Sequence, residues 1–318
     1  MKENPRILVV DPHPDDEAVF WGGTIAKYTN LGAEIYLLVL SNGEKGKIAI
    51  THSKRGLQDF REVKPEEEDW LASERQRECR EVAKILGIKQ VKFLGLPNLG
   101  VDQNAIFPIR ATIRKFDPHV IFSFSEAGTL SPANQDHSWA GIATFYAILS
   151  LLKDTYGDIK PGSIRALTDQ ARSLSFRRFL TYHLPAANQL LEKWAELSIR
   201  REDLTFIDVS GELGKKHSAS YGHQTQRHLI EFFNKVGILG MTKEPFYERI
   251  CIGPSCKGRG DLLYGIAEPP KQLAITIFPE EQAKYASTTP NFYELIQKRC
   301  QTASLLTVES DFLSEFRN

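Results

Sequence analysis

The 318-residue chain has no run of apolar residues approaching the roughly 18 needed to cross a bilayer. Its start, Met1-Lys2-Glu3-Asn4-Pro5, leads into a short apolar segment that is too brief for the core of a signal peptide. Net charge is also missing. Forty Lys+Arg balance 40 Asp+Glu, so no global field draws the chain to nucleic acid or to an acidic membrane surface. Cysteine is scarce: Cys79, Cys251, Cys256 and Cys300 are scattered, which suits a reducing compartment. The gap between Cys251 and Cys256 differs from common metal-site spacing, and no second pair follows. No internal repeat, low-complexity tract or clear linker is present. Together these absences predict a cytoplasmic protein with neither nucleic-acid nor membrane partners. What the chain does contain, 42% apolar and 25% charged residues with 18 Phe, supplies a sizeable core for one large domain with or without an extension.

Arg6-Ile7-Leu8-Val9-Val10 reads as a strand buried on both faces of a parallel sheet. Ala18 to Leu31 has helical periodicity closed by Gly32, and Glu34 to Leu40 is a second strand leading into the turn-rich Ser41-Asn42-Gly43-Glu44-Lys45-Gly46. Residues 47 to 69 are polar and irregular. A helix is expected from about Trp70 to Leu86, a strand at Gln90 to Leu94, a helix at Ile106 to Phe116, a strand at His119 to Phe124 and an apolar helix at His137 to Leu152. This alternation predicts a three-layer, Rossmann-like α/β fold with a mostly parallel sheet and helices on both faces. Further on, Phe176 to Leu184, Leu204 to Val209 and Leu273 to Phe278 read as strands. Trp194 to Ile199, Leu213 to Val236 with a break near Gly222, and Phe292 to Cys300 read as helices. The expected division is a catalytic domain over residues 1–250 and a C-terminal extension over 251–318, packed on the same domain.

In such sheets ligands bind beyond the carboxyl ends of the strands, so segments distant in sequence meet there. Asp11-Pro12-His13-Pro14-Asp15-Asp16-Glu17 follows the first strand, and Asn134-Gln135-Asp136-His137 follows the fourth. His13 and Asp16 offer an imidazole and a carboxylate on a turn stiffened by two prolines, and His137 supplies a third ligand, which is the donor set of an open catalytic zinc site. Asp15 is then left to take a proton from bound water. Two plainer readings stay open. An Asp-rich turn after a strand also serves phosphatases and magnesium sites, and acidic residues in a first helical turn complement the helix dipole. Three adjacent carboxylates repel one another, and a divalent cation would remove that penalty.

Pro12-His13-Pro14-Asp15-Asp16-Glu17 followed by Gly22-Gly23 resembles the opening motif of the PIG-L or LmbE-like family of zinc-dependent N-acetylglucosaminyl deacetylases. Asn42-Gly43-Glu44, Phe93-Leu94-Gly95 with Pro97, Gln135-Asp136-His137, and Lys216, Ala219, His223 and Gln226 resemble its later motifs in the same order, over roughly residues 6 to 250. The resemblance implies His13, Asp16 and His137 as ligands of Zn2+, the one cofactor expected, with Asp15 as general base and Asp136 orienting the site. Asn134 stands where most relatives hold an oxyanion-stabilising histidine, Gln135 where they hold proline, and Asn98 where they often hold aspartate. An asparagine amide can donate a hydrogen bond but cannot transfer a proton, so His223, and less so Lys216, becomes the candidate to protonate the leaving amine.

The function implied is hydrolysis of an N-acetyl group on an amino-sugar-containing small molecule, giving acetate and a free amine. The alternatives are an amidase of the same fold releasing a larger acyl group, a magnesium or manganese phosphoesterase, and a non-catalytic α/β binding protein. Homo-oligomerisation is left open. Arg75 and Glu78 read as an ordinary surface pair or as residues reaching the second-strand loop, Lys216 as a solvated helix lysine, and Trp21, Trp70, Trp139 and Trp194 as core or rim packing, with Trp139 also able to border the pocket. His217 and His228 receive no role.

Overall fold

The computed structural model describes residues 4–49, 60–125, 135–156, 174–182, 204–235, 237–253, 255–264, 266 and 275–277. In chain order the strands are β1 (Arg6–Asp11), β2 (Glu34–Ser41), β3 (Lys47–Ala49), β4 (Phe60–Glu62), β5 (Gln90–Leu96), β6 (Val120–Phe124), β7 (Arg178–Tyr182), β8 (Leu204–Asp208), β9 (Lys243–Ile252) and β10 (Ile275–Ile277). The helices are α1 (Asp16–Val19), α2 (Gly22–Asn30), α3 (Glu68–Leu86), α4 (Ile106–Phe116), α5 (Gln135–Tyr156), α6 (Leu213–Ser220) and α7 (Arg227–Lys235).

Five strands pair in parallel in the order β5-β2-β1-β6-β7. β9 then adds antiparallel to β7, with β8 and β10 both antiparallel on β9. The expected three-layer α/β architecture is present, and its alternation can be read residue by residue. Ile7 and Val9 of β1, with Ile35, Leu37 and Val39 of β2 and Phe122 and Phe124 of β6, share one core with buried residues of α1, α2, α3, α6 and α7. Their strand neighbours Leu8, Val10, Leu38, Leu40 and Ile121 share the other core with Ile109 and Ile113 of α4 and Ala140 to Leu152 of α5. Each residue of a strand sandwiched between helices meets one apolar layer or the other, which is why these strands are continuous rather than alternating apolar runs.

The strand order reverses between β1 and β6: the chain proceeds from β1 toward β2 and β5 on one side, and from β6 toward β7 on the other. The crevice at the carboxyl ends of these two strands is the position where doubly wound sheets bind ligands. No described helix is long and apolar enough to cross a membrane.

Several elements differ from expectation. The first helix is two. Trp21 leaves helical geometry (φ −128°, ψ 20°) because its ring lies among Phe122, Phe124 and Tyr182, while Phe20 packs on Phe124 and Phe233. Gly22-Gly23 restarts the helix in close contact with its surroundings; a Cβ on Gly23 would lie 2.7 Å from Cβ of Val209. The expected irregularity of residues 47–69 contains the β3–β4 hairpin and the first residues of α3. The ten-residue β9 was hidden by Lys243, Glu244, Pro245, Glu248 and Arg249, residue types that argue against a strand in a sheet. The break near Gly222 is present between α6 and α7.

β9 runs through residue 250 and pairs with β10, while Leu262 N–H donates to Tyr28 Oη and Leu262 O accepts from Arg178 Nη1, so these described parts of 251–277 join the same body. Among the tryptophans, Trp21 is core, Trp139 packs against the α4–α5 core, and Trp70 is 53% exposed rather than packed. Trp194, the helices expected at 194–199 and 292–300, and the strand ends at 183–184, 273–274 and 278 lie outside the described residues.

Candidate metal centre

β1 ends at Asp11, and the next five residues place His13 and Asp16 at the crevice; β6 ends at Phe124, and the first turn of α5 brings Asp136 and His137 to the same place. Ligand atoms of His13, Asp16 and His137 all lie within 4.8 Å of one another, and all three residues are buried. Among the described residues they form the single group of this kind. The rings of His13 and His137 are 4.9 Å apart, edge to face.

The two imidazoles share one carboxylate. His13 Nδ1 is 3.3 Å from Asp16 Oδ2, and His137 Nε2 is 3.2 Å from Asp16 Oδ1. Tetrahedral zinc, with bonds of about 2.0–2.1 Å, holds neighbouring donors roughly 3.3 Å apart. Two neutral imidazoles and a carboxylate are also the three-ligand set that leaves a fourth position open. The other nitrogen of His13, Nε2, lies 3.2 Å from Asp136 Oδ2, the carboxylate–histidine arrangement that orients a metal-binding ring. The residues present therefore fit a zinc ion.

The acidic turn is neutralised in a way its sequence did not reveal. Asp11 is wholly buried; burial first, then Asp16 and Glu17, push its carboxyl well above the usual range. Asp15 Oδ2 is 2.8 Å from Arg75 Nη2, and its pKa is raised because burial outweighs that guanidinium. Burial opposes ionisation of Asp16 too, but His137 and His13 hold its carboxylate well below the usual range. Burial pulls the His13 ring down, yet hydrogen bonds with Asp136 and Asp16 lift it to about 9 in the metal-free protein. Glu17 Oε1 is 2.8 Å from His223 Nε2, with both side chains fully buried. Asp15, Asp16 and Glu17 each face a guanidinium or an imidazole, so mutual repulsion alone does not require a cation here. The case for the metal stands on the donor set and its spacing.

Arg75 and Glu78 form no surface pair, and Arg75 instead reaches the second-strand loop, the other of the two readings. Both are buried and they do not pair with each other: Arg75 grips Asp15 and donates to Gly43 O and Pro14 O, while Glu78 accepts from the N–H and hydroxyl of Thr225. The surface pair is Glu74 with Arg77, one residue earlier in each case. The signal was available, since Leu71, Arg75, Glu78, Cys79, Val82 and Leu86 fall on one helical stripe. Gly43, at φ +65°, is needed beneath this guanidinium, because a Cβ there would meet Arg75 Nη1 at 2.5 Å. Lys216 is likewise not solvated: it is fully buried, 2.8 Å from Glu244 Oε1.

His223 is fully buried against Glu17 of the acidic turn. Its Nε2 is taken by Glu17, and its Nδ1 is buried without a hydrogen-bond partner. Asn134 lies outside the described residues. Asp136 does more than orient His13: Oδ2 accepts from Leu99 N–H at 2.7 Å and Oδ1 from Val101 N–H at 3.1 Å, tying the loop after β5 to the metal-binding pair. Asn98 N–H donates to Glu44 Oε1, and its side chain donates to Lys45 O, so the two strand-end loops that the motifs singled out hold each other.

A parallel α/β sheet with a His-Asp-His donor set at its switch point defines the class as an α/β protein with a candidate metal centre. Residues 8–148 match the family described as PIG-L: GlcNAc-PI de-N-acetylase. A 1D-myo-inositol 2-acetamido-2-deoxy-alpha-D-glucopyranoside deacetylase of Rhodococcus erythropolis is 28% identical over 249 residues, covering 70% of this chain and 81% of the relative. Among solved structures, a 4-carboxy-2-hydroxymuconate hydratase of Pseudomonas putida aligns with TM-score 0.54 at 22% identity, over 77% of this chain and 95% of that one. The N,N'-diacetylchitobiose deacetylase of Pyrococcus horikoshii aligns with TM-score 0.52 at 19% identity, over 78% and 84%. At these identities the two structures establish the fold alone, and a hydratase beside a deacetylase shows that the fold does not choose the reaction.

Proposed function

We propose that the chain is a zinc-dependent N-deacetylase that hydrolyses the N-acetyl group of an amino-sugar-containing small molecule, releasing acetate and the free amine. The observation that carries this reading is the convergence of His13, Asp16 and His137 within 4.8 Å at the switch point, with Asp15 beside them. The acetamido-sugar activity named for the Rhodococcus relative supports the choice of substrate class.

His13, Asp16 and His137 would hold the ion. Bound zinc acidifies a water toward neutrality and polarises an amide carbonyl. Asp15 accepts the proton of the attacking water and returns it to the leaving nitrogen, both within reach of one carboxylate. Arg75, anchored on Gly43 O and Pro14 O, fixes the orientation of that carboxylate. Asp136 holds the His13 ring through Nε2. His223 has no accessible nitrogen, so we assign it to the electrostatics of the acidic turn through Glu17, and the amine's proton to Asp15. Asn134 is assigned a hydrogen bond to the developing oxyanion, on the ground that an amide N–H can donate but not protonate.

The decisive measurement compares Asp15→Asn with His13→Ala in metal content and in amine release from N-acetylglucosamine conjugates. Asp15→Asn is expected to retain metal and lose roughly 10²–10⁴-fold in turnover, the range of general acid–base catalysis. His13→Ala is expected to lose both. Equal metal loss in the two variants would remove Asp15 as the base.

A further inference from the structure

The loop after β5 makes a turn, Pro97-Asn98-Leu99-Gly100, closed by Gly100 N–H donating to Pro97 O at 2.9 Å. Leu99 occupies its third position at φ +62°, in the left-handed region. Turns of this kind favour glycine or asparagine there, since a Cβ crowds the backbone. The leucine is not repaid by burial, because it is 54% exposed. Its backbone is nonetheless tightly held: the N–H reaches Asp136 Oδ2 at 2.7 Å and Asn98 Oδ1 at 3.1 Å. The same Asp136 oxygen lies 3.2 Å from His13 Nε2. Adding the N–Cα bond to these two contacts puts the Leu99 Cα no more than about 7.4 Å from the His13 ring.

Any residue but proline supplies the N–H that Asp136 uses, and glycine would do so without crowding. The leucine side chain is therefore surplus to holding the loop, while standing as an exposed apolar group on a rigid support beside the metal-binding ring. Strain preserved at such a position is evidence for a functional contact. We propose that Leu99 is a specificity-determining residue: its side chain covers an apolar group of the substrate, carried either on the aglycone or on the acyl chain next to the amide. This assignment rests on the amide-hydrolase reading for its substrate, and binding tests it independently of turnover.

The probes for the zinc-loaded full chain are methyl and octyl glycosides of N-acetylglucosamine for the aglycone arm, and N-acetyl- and N-hexanoyl-glucosamine for the acyl arm. Calorimetric Kd and, separately, amine release are measured for wild type, Leu99→Gly and Leu99→Met. The wild type is expected to favour the larger apolar group about tenfold in one arm, the lower end of what covering one leucine contributes. Leu99→Gly should reduce that ratio to within twofold, Leu99→Met should keep it, and the arm that responds identifies where the apolar group sits. The unfolding midpoint of Leu99→Gly should equal or exceed that of wild type, whereas a residue retained for packing would lower it. An equal ratio in wild type and Leu99→Gly, or no wild-type preference in either arm, overturns the proposal. Binding preference without amine release from any probe supports Leu99 and counts instead against the amide-hydrolase reading.

Discussion

Two groups of buried charge in the molecule differ in one respect. Around Glu244 every valence is closed: Oε1 accepts from Lys216 Nζ at 2.8 Å and Gly23 N–H at 3.2 Å, and Oε2 from Thr24 N–H at 2.8 Å. Around Asp16 two imidazoles converge on one carboxylate, each presenting a nitrogen that a metal would take. Both groups are withdrawn from water, so burial does not distinguish them. Closure does. A carboxylate whose acceptors are all occupied by an ammonium and a helix N-terminus fixes α2, α6 and β9 together, whereas a donor set with an open position binds something from outside.

That contrast is broken most forcefully at Lys216. Lys216→Met strands the Glu244 carboxylate in the interior and is expected to cost about 3–5 kcal/mol of stability, measured by denaturant unfolding, with metal stoichiometry of the folded protein unchanged. Adding Glu244→Gln should recover part of the loss, because the charge left behind is removed. If folded Lys216→Met protein fails to take up metal, the two groups are one unit. A smaller effect is expected at Asp136: removing its charge from His13 with Asp136→Asn should weaken metal affinity roughly 10–100-fold, read by competition with a chelator. An unchanged affinity would leave Asp136 as only the anchor of the Leu99 loop.

The smallest expected effect is a pH dependence at His228, a buried ring packed on Phe60. Burial, followed by the charges of Lys47 and Arg75, holds its pKa down to about 4 from 6.5. The unfolded chain protonates this ring first as pH falls, so its contribution is complete above about pH 6.5 and is lost progressively toward pH 4. His228→Gln should flatten unfolding stability over that window by about 1 kcal/mol or less. A wild-type profile identical to the variant's would assign the acid sensitivity elsewhere.

The closed group escaped sequence reasoning, whereas the residues that converge in the open one were singled out by it, for the same physical reason. His13, Asp16 and His137 stand at strand ends, where a topological rule says that distant segments meet, and their chemistry is recognisable before any packing is known. The parallel strands were legible because residues buried on both faces must all be apolar. β9 was not, because its interior charges Glu244 and Glu248 are satisfied by Lys216 and Arg178, partners 28 and 70 positions away in sequence. Arg75 and Glu78 were read first as a surface pair although their helical phase matched Leu71 and Val82, since charge was given more weight than position. The strained Leu99 has no signature in composition or periodicity; only backbone geometry exposes it.

The order reversal between β1 and β6 has a bearing on assembly. Two candidate ligands come from one side of the reversal and the third from beyond it, 121 residues further along the chain from Asp16 to His137. An ion gripping all three would cross-link the two halves of the sheet, closing a long loop and favouring the folded chain over any partly docked one. Occupancy of the centre would thus record that the halves have joined in the correct register, making metal uptake a quality check on folding as well as a condition for chemistry.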